Sequence, residues 1–191
     1  MNLAIFASGN GSNFQAIADS INNGFLKEAQ IKILIVDHRD AYAIRRAEKL
    51  SIPYKVFELK QFRNKAEYEK AILEVLEENK IELICLAGYM KIVSETLLNA
   101  YEGRIINIHP ALLPSFKGAH GILDAYNYGC KVFGVTIHYV SKELDGGKII
   151  SQRAFEYYGN DIEELERKIH EVEHVLYPET IKKIIMEEKE K

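Results

Sequence analysis

The first 57 residues alternate short apolar runs with segments of helical spacing, and this alternation constrains the fold more than any other feature of the chain. Apolar runs at residues 3–7, 31–36 and 54–57 predict strands, and residues 14–21 and 42–50 have the spacing of amphipathic helices. Strands that are joined by helical crossovers run parallel in one sheet. The sequence therefore predicts an α/β fold with an open, mostly parallel twisted sheet.

Residues 65–109 predict a further helix and two further strands of this sheet. Residues 65–80 place apolar side chains on one helical face and Glu and Lys on the other, which we interpret as a solvated face without chemistry. Residues 81–87, which are apolar at every position except Glu82, are typical of a central strand. Residues 105–109 predict a short buried strand that ends where Pro110 prevents a helix.

The last third of the chain predicts an antiparallel edge pair and a C-terminal helix. Residues 132–140 alternate in polarity, and residues 149–155 can pair with them across Gly146-Gly147. Residues 162–186 have a helical pattern, which we expect Pro178 to interrupt because proline lacks a backbone N–H.

Length and composition bound the class of protein. A chain of 191 residues, 47 % hydrophobic, can bury one sizeable core, so we predict a single domain with two halves, residues 1–100 and 101–191. The net charge of -3 gives no footprint for nucleic acid. The N-terminus lacks the features of a signal peptide, and no apolar run reaches the length of a membrane span. We expect a cytoplasmic monomer or homodimer that binds small molecules and no membrane.

Asn107 and His109 form the first candidate site. Two residues apart at the end of a parallel strand, they project to one side of the crevice that such sheets use for ligands. An amide N–H can stabilise an oxyanion and an imidazole can move a proton, which are the requirements of acyl transfer. The alternative is that Asn107 caps a turn and His109 is a surface-loop histidine.

Asp145 is the candidate for a third member of this site. It lies in a Gly-rich turn, Glu-Leu-Asp-Gly-Gly, on the connection between the two predicted antiparallel strands. A carboxylate there can hydrogen-bond His109 and hold one tautomer of the ring. Two further histidines, His120 and His138, are candidates for polar groups near the site, or for ordinary hydrogen-bonded histidines.

Residues 8–13, Ser-Gly-Asn-Gly-Ser-Asn, form a Gly-rich turn between a strand and a helix, where backbone N–H groups bind phosphate. A dinucleotide site would need a third glycine where Phe14 stands, and a Walker loop would need Gly-Lys-Ser/Thr. A monophosphate site fits better, although Asp37 stands where a ribose-binding acid would, so the dinucleotide reading stays open.

Residues 170–174, His-Glu-Val-Glu-His, match the pattern that binds zinc in metalloproteases. No third histidine follows at the metzincin spacing, and the short charged tail leaves little chain for a substrate cleft. We therefore predict no metal ion.

These motifs resemble those of the folate-dependent glycinamide ribonucleotide formyltransferases of purine biosynthesis. The resemblance covers nearly the whole chain. It is carried by residues 8–13, Leu86-Ala87-Gly88-Tyr89-Met90, Asn107-Ile-His-Pro-Ala-Leu-Leu-Pro, Leu144-Asp145-Gly146-Gly147, Glu173-His174 and Tyr177-Pro178. It implies a Rossmann-like sheet of the formyltransferase type, and transfer of a formyl group from 10-formyltetrahydrofolate to the amine of 5'-phosphoribosylglycinamide.

The resemblance also implies roles for particular residues. The catalytic triad would be Asn107, His109 and Asp145, and residues 1–100 would form the half that binds the ribonucleotide phosphate. The ribonucleotide would be bound by Gly11, Ser12, Asn13, His170 and Glu173. The folate would be bound by Lys65, Met90, Lys91, Ile92, Val93, Asn107, Ser141, Lys142, Glu143, Leu144 and Asp145.

Some positions depart from the family, and other activities compete with this one. Asp37-His38 replaces a small polar residue followed by Asn, His170 replaces an amide side chain, and Lys65 replaces an Arg. A formyltetrahydrofolate hydrolase and a methionyl-tRNA formyltransferase would share the triad but carry an extra domain, which we do not expect in 191 residues. A nucleotide-binding module without catalysis and a zinc hydrolase are alternatives of other classes.

Overall fold

The computed structural model describes residues 1–190, which form two compact units, one of residues 1–106 and one that begins at Asn107. The strands are β1 (Asn2–Ala7), β2 (Gln30–Val36), β3 (Tyr54–Val56), β4 (Leu83–Leu86), β5 (Ile105–His109), β6 (Val132–Tyr139) and β7 (Ile149–Glu156). The α-helices are α1 (Ser12–Asn22), α2 (Ala43–Leu50), α3 (Lys65–Glu78), α4 (Glu95–Ala100), α5 (Gly121–Tyr128) and α6 (Ile162–Lys189), and residues Leu59–Gln61 form a 3₁₀ turn. Along the sheet the strand order is β3-β2-β1-β4-β5-β6-β7.

The first unit is a parallel α/β layer, as the alternating pattern predicts. Strand β1 pairs in parallel with β2 on one side and with β4 on the other, and β2 pairs in parallel with β3. Residues 3–7 of β1 are fully buried, which explains why this strand is a continuous apolar run instead of an alternating one. The predicted strands and helices of residues 1–57, and their parallel pairing, are confirmed.

Two features of the first unit differ from the sequence prediction. Helix α4 was not predicted, because six residues are too few to display a helical period. Glu69, which we placed on the solvated face of α3, is only 1 % exposed. Its carboxylate accepts hydrogen bonds from the backbone N–H of Ser94 (2.6 Å), the hydroxyl of Ser94 (2.6 Å) and the N–H of Leu97 (3.2 Å). Glu69 therefore caps the N-terminus of α4 from another helix.

The second unit contains the antiparallel pair and the C-terminal helix. Strands β6 and β7 pair antiparallel, with Thr136 opposite Gln152, as the alternation predicts. Helix α6 packs on β6 and β7 and continues through Pro178, so the predicted interruption is wrong. The residues on either side of this proline, Tyr177 and Ile181 among them, are buried, and this packing outweighs one missing N–H. Within residues 1–190, no helix is both long and apolar enough to cross a membrane.

Replacing Glu69 by alanine will destabilise the protein, because the buried N–H groups of Ser94 and Leu97 would lose their acceptor. We expect the free energy of unfolding to fall by about 2 to 4 kcal/mol, measured by urea denaturation. Glu74, which is exposed on the same helix, is the matched control. Its alanine variant should change the free energy by less than about 0.5 kcal/mol. Equal effects of the two variants would contradict the capping role.

Candidate active site

His109 is the last residue of β5 and is only 4 % exposed, so it is not a surface-loop histidine. Its Nε2 lies 2.8 Å from the carbonyl oxygen of Phe116. Its Nδ1 lies 3.6 Å from Oδ2 of Asp145. Both ring nitrogens thus face oxygen atoms, and an imidazolium at this position would have an acceptor on each side.

Asp145 lies at a left-handed backbone position (φ 49°) on the connection between β6 and β7, and its carboxylate is buried. Its Oδ2 accepts a hydrogen bond from the N–H of Gly118 at 2.8 Å. The separation of 3.6 Å from His109 is longer than a hydrogen bond, so the direct bond that we predicted is absent. The Gly118 N–H holds the carboxylate beside the ring at the distance of an ion pair.

His138, on β6, contacts two members of the predicted triad, Asn107 and Asp145. Its Nδ1 lies 2.9 Å from the carbonyl oxygen of Tyr139, which can only accept, so Nδ1 carries the proton. Its Nε2 then accepts from the side-chain amide of Asn107 at 3.2 Å and lies 3.7 Å from Oδ1 of Asp145. This contact fixes the orientation of the Asn107 amide. Burial lowers the pKa of the His138 imidazole, which favours the neutral ring.

The loop after β5 is fixed by two side chains of the antiparallel pair. The buried hydroxyl of Thr136 donates to the carbonyl of Ala111 (2.7 Å) and accepts from the N–H of Leu113 (3.1 Å). The amide of Gln152 donates to the carbonyl of Leu113 (2.9 Å) and to Thr136 (3.0 Å). At the end of the loop, a Cβ at Gly121 would lie 3.0 Å from the carbonyl oxygen of Phe116 and 3.2 Å from Nε2 of His109, so a larger residue there would require these groups to shift.

The predicted folate residues 141–145 form the turn that carries Asp145. The Ser141 hydroxyl donates to the carbonyl of Glu143 at 3.2 Å, and the Glu143 carboxylate pairs with Lys117 at 2.6 Å. Leu144 is exposed, and Lys142 is exposed beside it. A Cβ at Gly147 would lie 1.7 Å from the carbonyl oxygen of Tyr139, so this turn requires glycine there.

His170 and Glu173, which we predicted to meet the ribonucleotide, contact each other on α6. Nδ1 of His170 lies 2.8 Å from Oε2 of Glu173, and this hydrogen bond raises the pKa of the imidazole. The rings of His170 and His174 stack with centroids 6.3 Å apart. Among residues 1–190, no group of three or more His, Cys, Asp or Glu side chains is placed to hold a metal ion.

In the first unit, the Gly-rich turn has the geometry of an anion site. Gly11 precedes α1 in the left-handed conformation (φ 74°), and a Cβ there would lie 2.7 Å from Cβ of Ala43. Arg46 donates to the carbonyl of Asn10 (2.8 Å) and to its side-chain oxygen (2.7 Å), which fixes the turn. In the described chain no side chain caps α1 and no acidic residue occupies its first turn, so Ser12 begins a helix that favours an anion.

The other predicted folate residues of this unit form an irregular segment after β4. Met90 is 69 % exposed and Ile92 is 66 % exposed, whereas Val93 is buried. Met90 and Ile92 thus lie outside the core and form exposed apolar surface. The Lys65 ammonium contacts the carbonyl oxygen of Ile92, and Lys91 lies 3.5 Å from a carboxylate oxygen of Asp37.

The chain matches the model of one protein family, described as formyl transferase, over residues 1–181. The chain belongs to the formyl transferase family. It is 46 % identical to phosphoribosylglycinamide formyltransferase of Bacillus subtilis over 95 % of this chain and 93 % of the relative.

Solved structures of formyltransferases agree in fold. The crystal structure of phosphoribosylglycinamide formyltransferase from Streptococcus pneumoniae TIGR4 matches with a TM-score of 0.89 and 52 % identity, over 96 % of this chain and 98 % of that one. The enzyme from Bacillus halodurans matches with a TM-score of 0.93 and 44 % identity, over 97 % and 95 % of the two chains. The predicted formyltransferase type of sheet is confirmed.

Several residues that shape the site of this formyltransferase were missed by the sequence analysis. Thr136 and Gln152 lie on alternating strands and were given no role, and Phe116 acts through its backbone carbonyl, which no motif reports. Asp37, in contrast, was considered as a possible ribose ligand. In the structure its two oxygens contact His38 (2.8 Å) and Lys91 (3.5 Å), which disfavours the dinucleotide reading.

His138 will make the stability of this formyltransferase depend on pH. Its folded pKa lies below the unfolded value of about 6.5, so below that pH the unfolded chain binds a proton that the folded chain does not. Stability from this source is lost as pH falls. The unfolding free energy of wild type should therefore drop more steeply than that of His138→Gln from about pH 7.5 to about pH 5.

Urea denaturation at a series of pH values measures this difference. His120→Gln, at an exposed loop position, is the matched control and should follow the wild-type curve. Parallel curves for wild type and His138→Gln would show that His138 is not held neutral by burial.

Proposed function

We propose that this formyltransferase moves the formyl group of 10-formyltetrahydrofolate to the amine of 5'-phosphoribosylglycinamide, giving formylglycinamide ribonucleotide and tetrahydrofolate in de novo purine (IMP) biosynthesis. A relative that is 46 % identical over 95 % of this chain is named phosphoribosylglycinamide formyltransferase. The observation that carries the proposal is the cluster of Asn107, His109 and Asp145, with an amide, an imidazole and a carboxylate gathered in one unit. A cytoplasmic location is part of this proposal.

The cluster can perform acyl transfer in the following way. The neutral substrate amine attacks the formyl carbon, and the resulting tetrahedral oxyanion is stabilised by the Asn107 amide N–H and the protonated His109. His109 then donates its proton to the departing folate nitrogen, and the neutral ring takes up the proton that the attacking amine loses. The Asp145 carboxylate, 3.6 Å from Nδ1, stabilises the positive ring during these steps.

Each unit supplies binding groups in this proposal. The first unit would bind the ribonucleotide phosphate at Gly11, Ser12 and Asn13, where backbone N–H groups and the start of α1 favour an anion. The exposed apolar surface of Met90 and Ile92 suits the flat pterin of the folate. In the second unit, residues 141–145 would contact the folate, and His170 with Glu173 would bind the ribonucleotide.

The experiment that tests this function follows folate release spectroscopically from a 10-formylfolate donor, with and without 5'-phosphoribosylglycinamide, on metal-free protein. The proposal expects release only when the ribonucleotide is present. Release without the ribonucleotide would identify a hydrolase instead. No release under either condition would contradict formyl transfer and leave the Gly-rich loop as a binding site only.

Alanine variants of the triad test the assigned chemistry. Asn107→Ala, His109→Ala and Asp145→Ala should each lower turnover by on the order of 10²-fold or more. The first removes a hydrogen-bond donor to the oxyanion, the second removes the proton carrier, and the third removes the negative charge beside it. Stopped assays of turnover at saturating substrates measure the effect, and circular dichroism checks that the fold is kept. Turnover close to wild type in all three variants would refute the triad.

A charge placed at the start of α1 tests the phosphate site. Ser12→Asp puts a carboxylate where an anion would bind, while an acidic residue in the first turn stabilises the helix itself. We expect the KM for the ribonucleotide to rise by about tenfold or more through charge repulsion, without loss of thermal stability. Ser12→Asn, of equal size and no charge, is the matched control. An equal KM in the two variants would place the phosphate elsewhere.

A further inference from the structure

The segment between β4 and α4, residues 87–94, has no regular secondary structure. Side chains from other elements of the first unit hold it instead. Ser8 Oγ accepts from the N–H of Met90 at 2.8 Å, and Glu69 accepts from the N–H of Ser94. These bonds satisfy backbone groups, as they must in any irregular segment that is partly buried. They fix the course of the chain and end on no group that faces a ligand.

The contact between Asp37 and Lys91 differs from these bonds because it holds a charged side chain that is 40 % exposed. Asp37 lies just after β2, and its carboxylate is only 4 % exposed. Oδ2 lies 3.5 Å from Nζ of Lys91, and Oδ1 lies 2.8 Å from Nδ1 of His38. A buried carboxylate that contacts the Lys91 ammonium with one oxygen and the His38 ring with the other is held in one orientation, so it gives the more mobile lysine a fixed partner.

Lys91 lies between the two most exposed apolar residues of the segment, Met90 and Ile92. Its own side chain is 40 % exposed and its Nζ lies 3.5 Å from the buried Asp37 carboxylate, so this ion pair restrains the lysine at the surface between the two apolar residues. Restraining the Lys91 side chain orders the surface between Met90 and Ile92. When a binding surface is already ordered, less conformational entropy is lost on ligand binding.

We propose that Asp37 is a positioning residue for the folate donor, which acts by holding Lys91 and with it the Met90–Ile92 surface. This inference rests on the proposed function. It assigns part of the affinity for folate to Asp37, which lies outside the segment of residues 87–94. It gives the Asp37-His38 pair a role on the folate side of the reaction. The substitution Asp37→Asn keeps the size and one acceptor oxygen but removes the charge, so it tests the ion pair alone.

The Asp37→Asn variant should raise the KM for 10-formyltetrahydrofolate by about three- to tenfold, the range for a partly buried charge pair. Turnover at saturating folate and the KM for the ribonucleotide should stay within about twofold of wild type, since neither depends on Lys91. Lys91→Met should give the same rise, and the double variant should show no further rise because the two residues form one pair. Asp40→Asn, an exposed carboxylate in the same loop, is the matched control and should behave as wild type.

A direct measurement of the dissociation constant for folic acid, by equilibrium dialysis, separates this inference from the proposed function. If wild type binds folic acid but transfers no formyl group, the proposed function fails while the comparison of dissociation constants still decides the role of Asp37. An unchanged constant in Asp37→Asn would overturn the inference. So would a rise in both KM values together with a lower melting temperature, which would make Asp37 merely structural. Absence of folate binding to wild type would overturn both.

Discussion

Backbone without regular secondary structure must still satisfy its hydrogen bonds, and this constraint governs the parts of the protein that carry the proposed chemistry. The irregular segments lie after β4, after β5 and between β6 and β7. The first two are held by buried polar side chains from outside the segment, and the third supplies such a side chain, Asp145, to the second. Glu69 and Ser8 serve the first of these segments, Thr136 the second, and the Asp145 carboxylate meets the Gly118 N–H. Of the proposed catalytic residues, Asn107 and His109 project from the end of β5, and Asp145 projects from the irregular connection between β6 and β7.

The same constraint explains the polar cluster of the second unit. A buried imidazole is tolerated when each ring nitrogen has a partner, and His109 has the Phe116 carbonyl on one side and Asp145 on the other. His138 is held neutral with its proton on Nδ1, so its other nitrogen can only accept from Asn107. Two histidines in one cluster thus differ in role because their partners differ. In the proposed function His109 carries a proton, whereas His138 fixes the Asn107 amide.

The sequence predicted the fold well because its main elements are defined by local patterns. The strand at residues 3–7 is apolar since both its faces are buried, and such a run can be recognised without knowing its neighbours. The prediction was wrong where a distant contact decides the outcome. Glu69 has the sequence context of a surface residue, and only the position of Ser94 shows that it is buried. Pro178 likewise remains helical because of packing that local propensity does not contain.

The site was predicted in part for the same reason. Asn107, His109 and Asp145 were selected from strand ends and a Gly-rich turn, which are local signals, and the family resemblance grouped them; their catalytic role stays a prediction. The carbonyl of Phe116 acts through backbone geometry, so no residue type could have revealed it.

The measurement that tests the central claim most directly is carbon NMR of the reaction with a donor labelled with ¹³C at the formyl carbon. If His109 and its partners perform acyl transfer to the ribonucleotide, the labelled carbon will leave the folate and appear as a formamide on the glycinamide nitrogen. The label will stay on the folate when His109 is replaced by alanine. Appearance of the label as free formate, or its transfer at the wild-type rate by His109→Ala, would contradict the account.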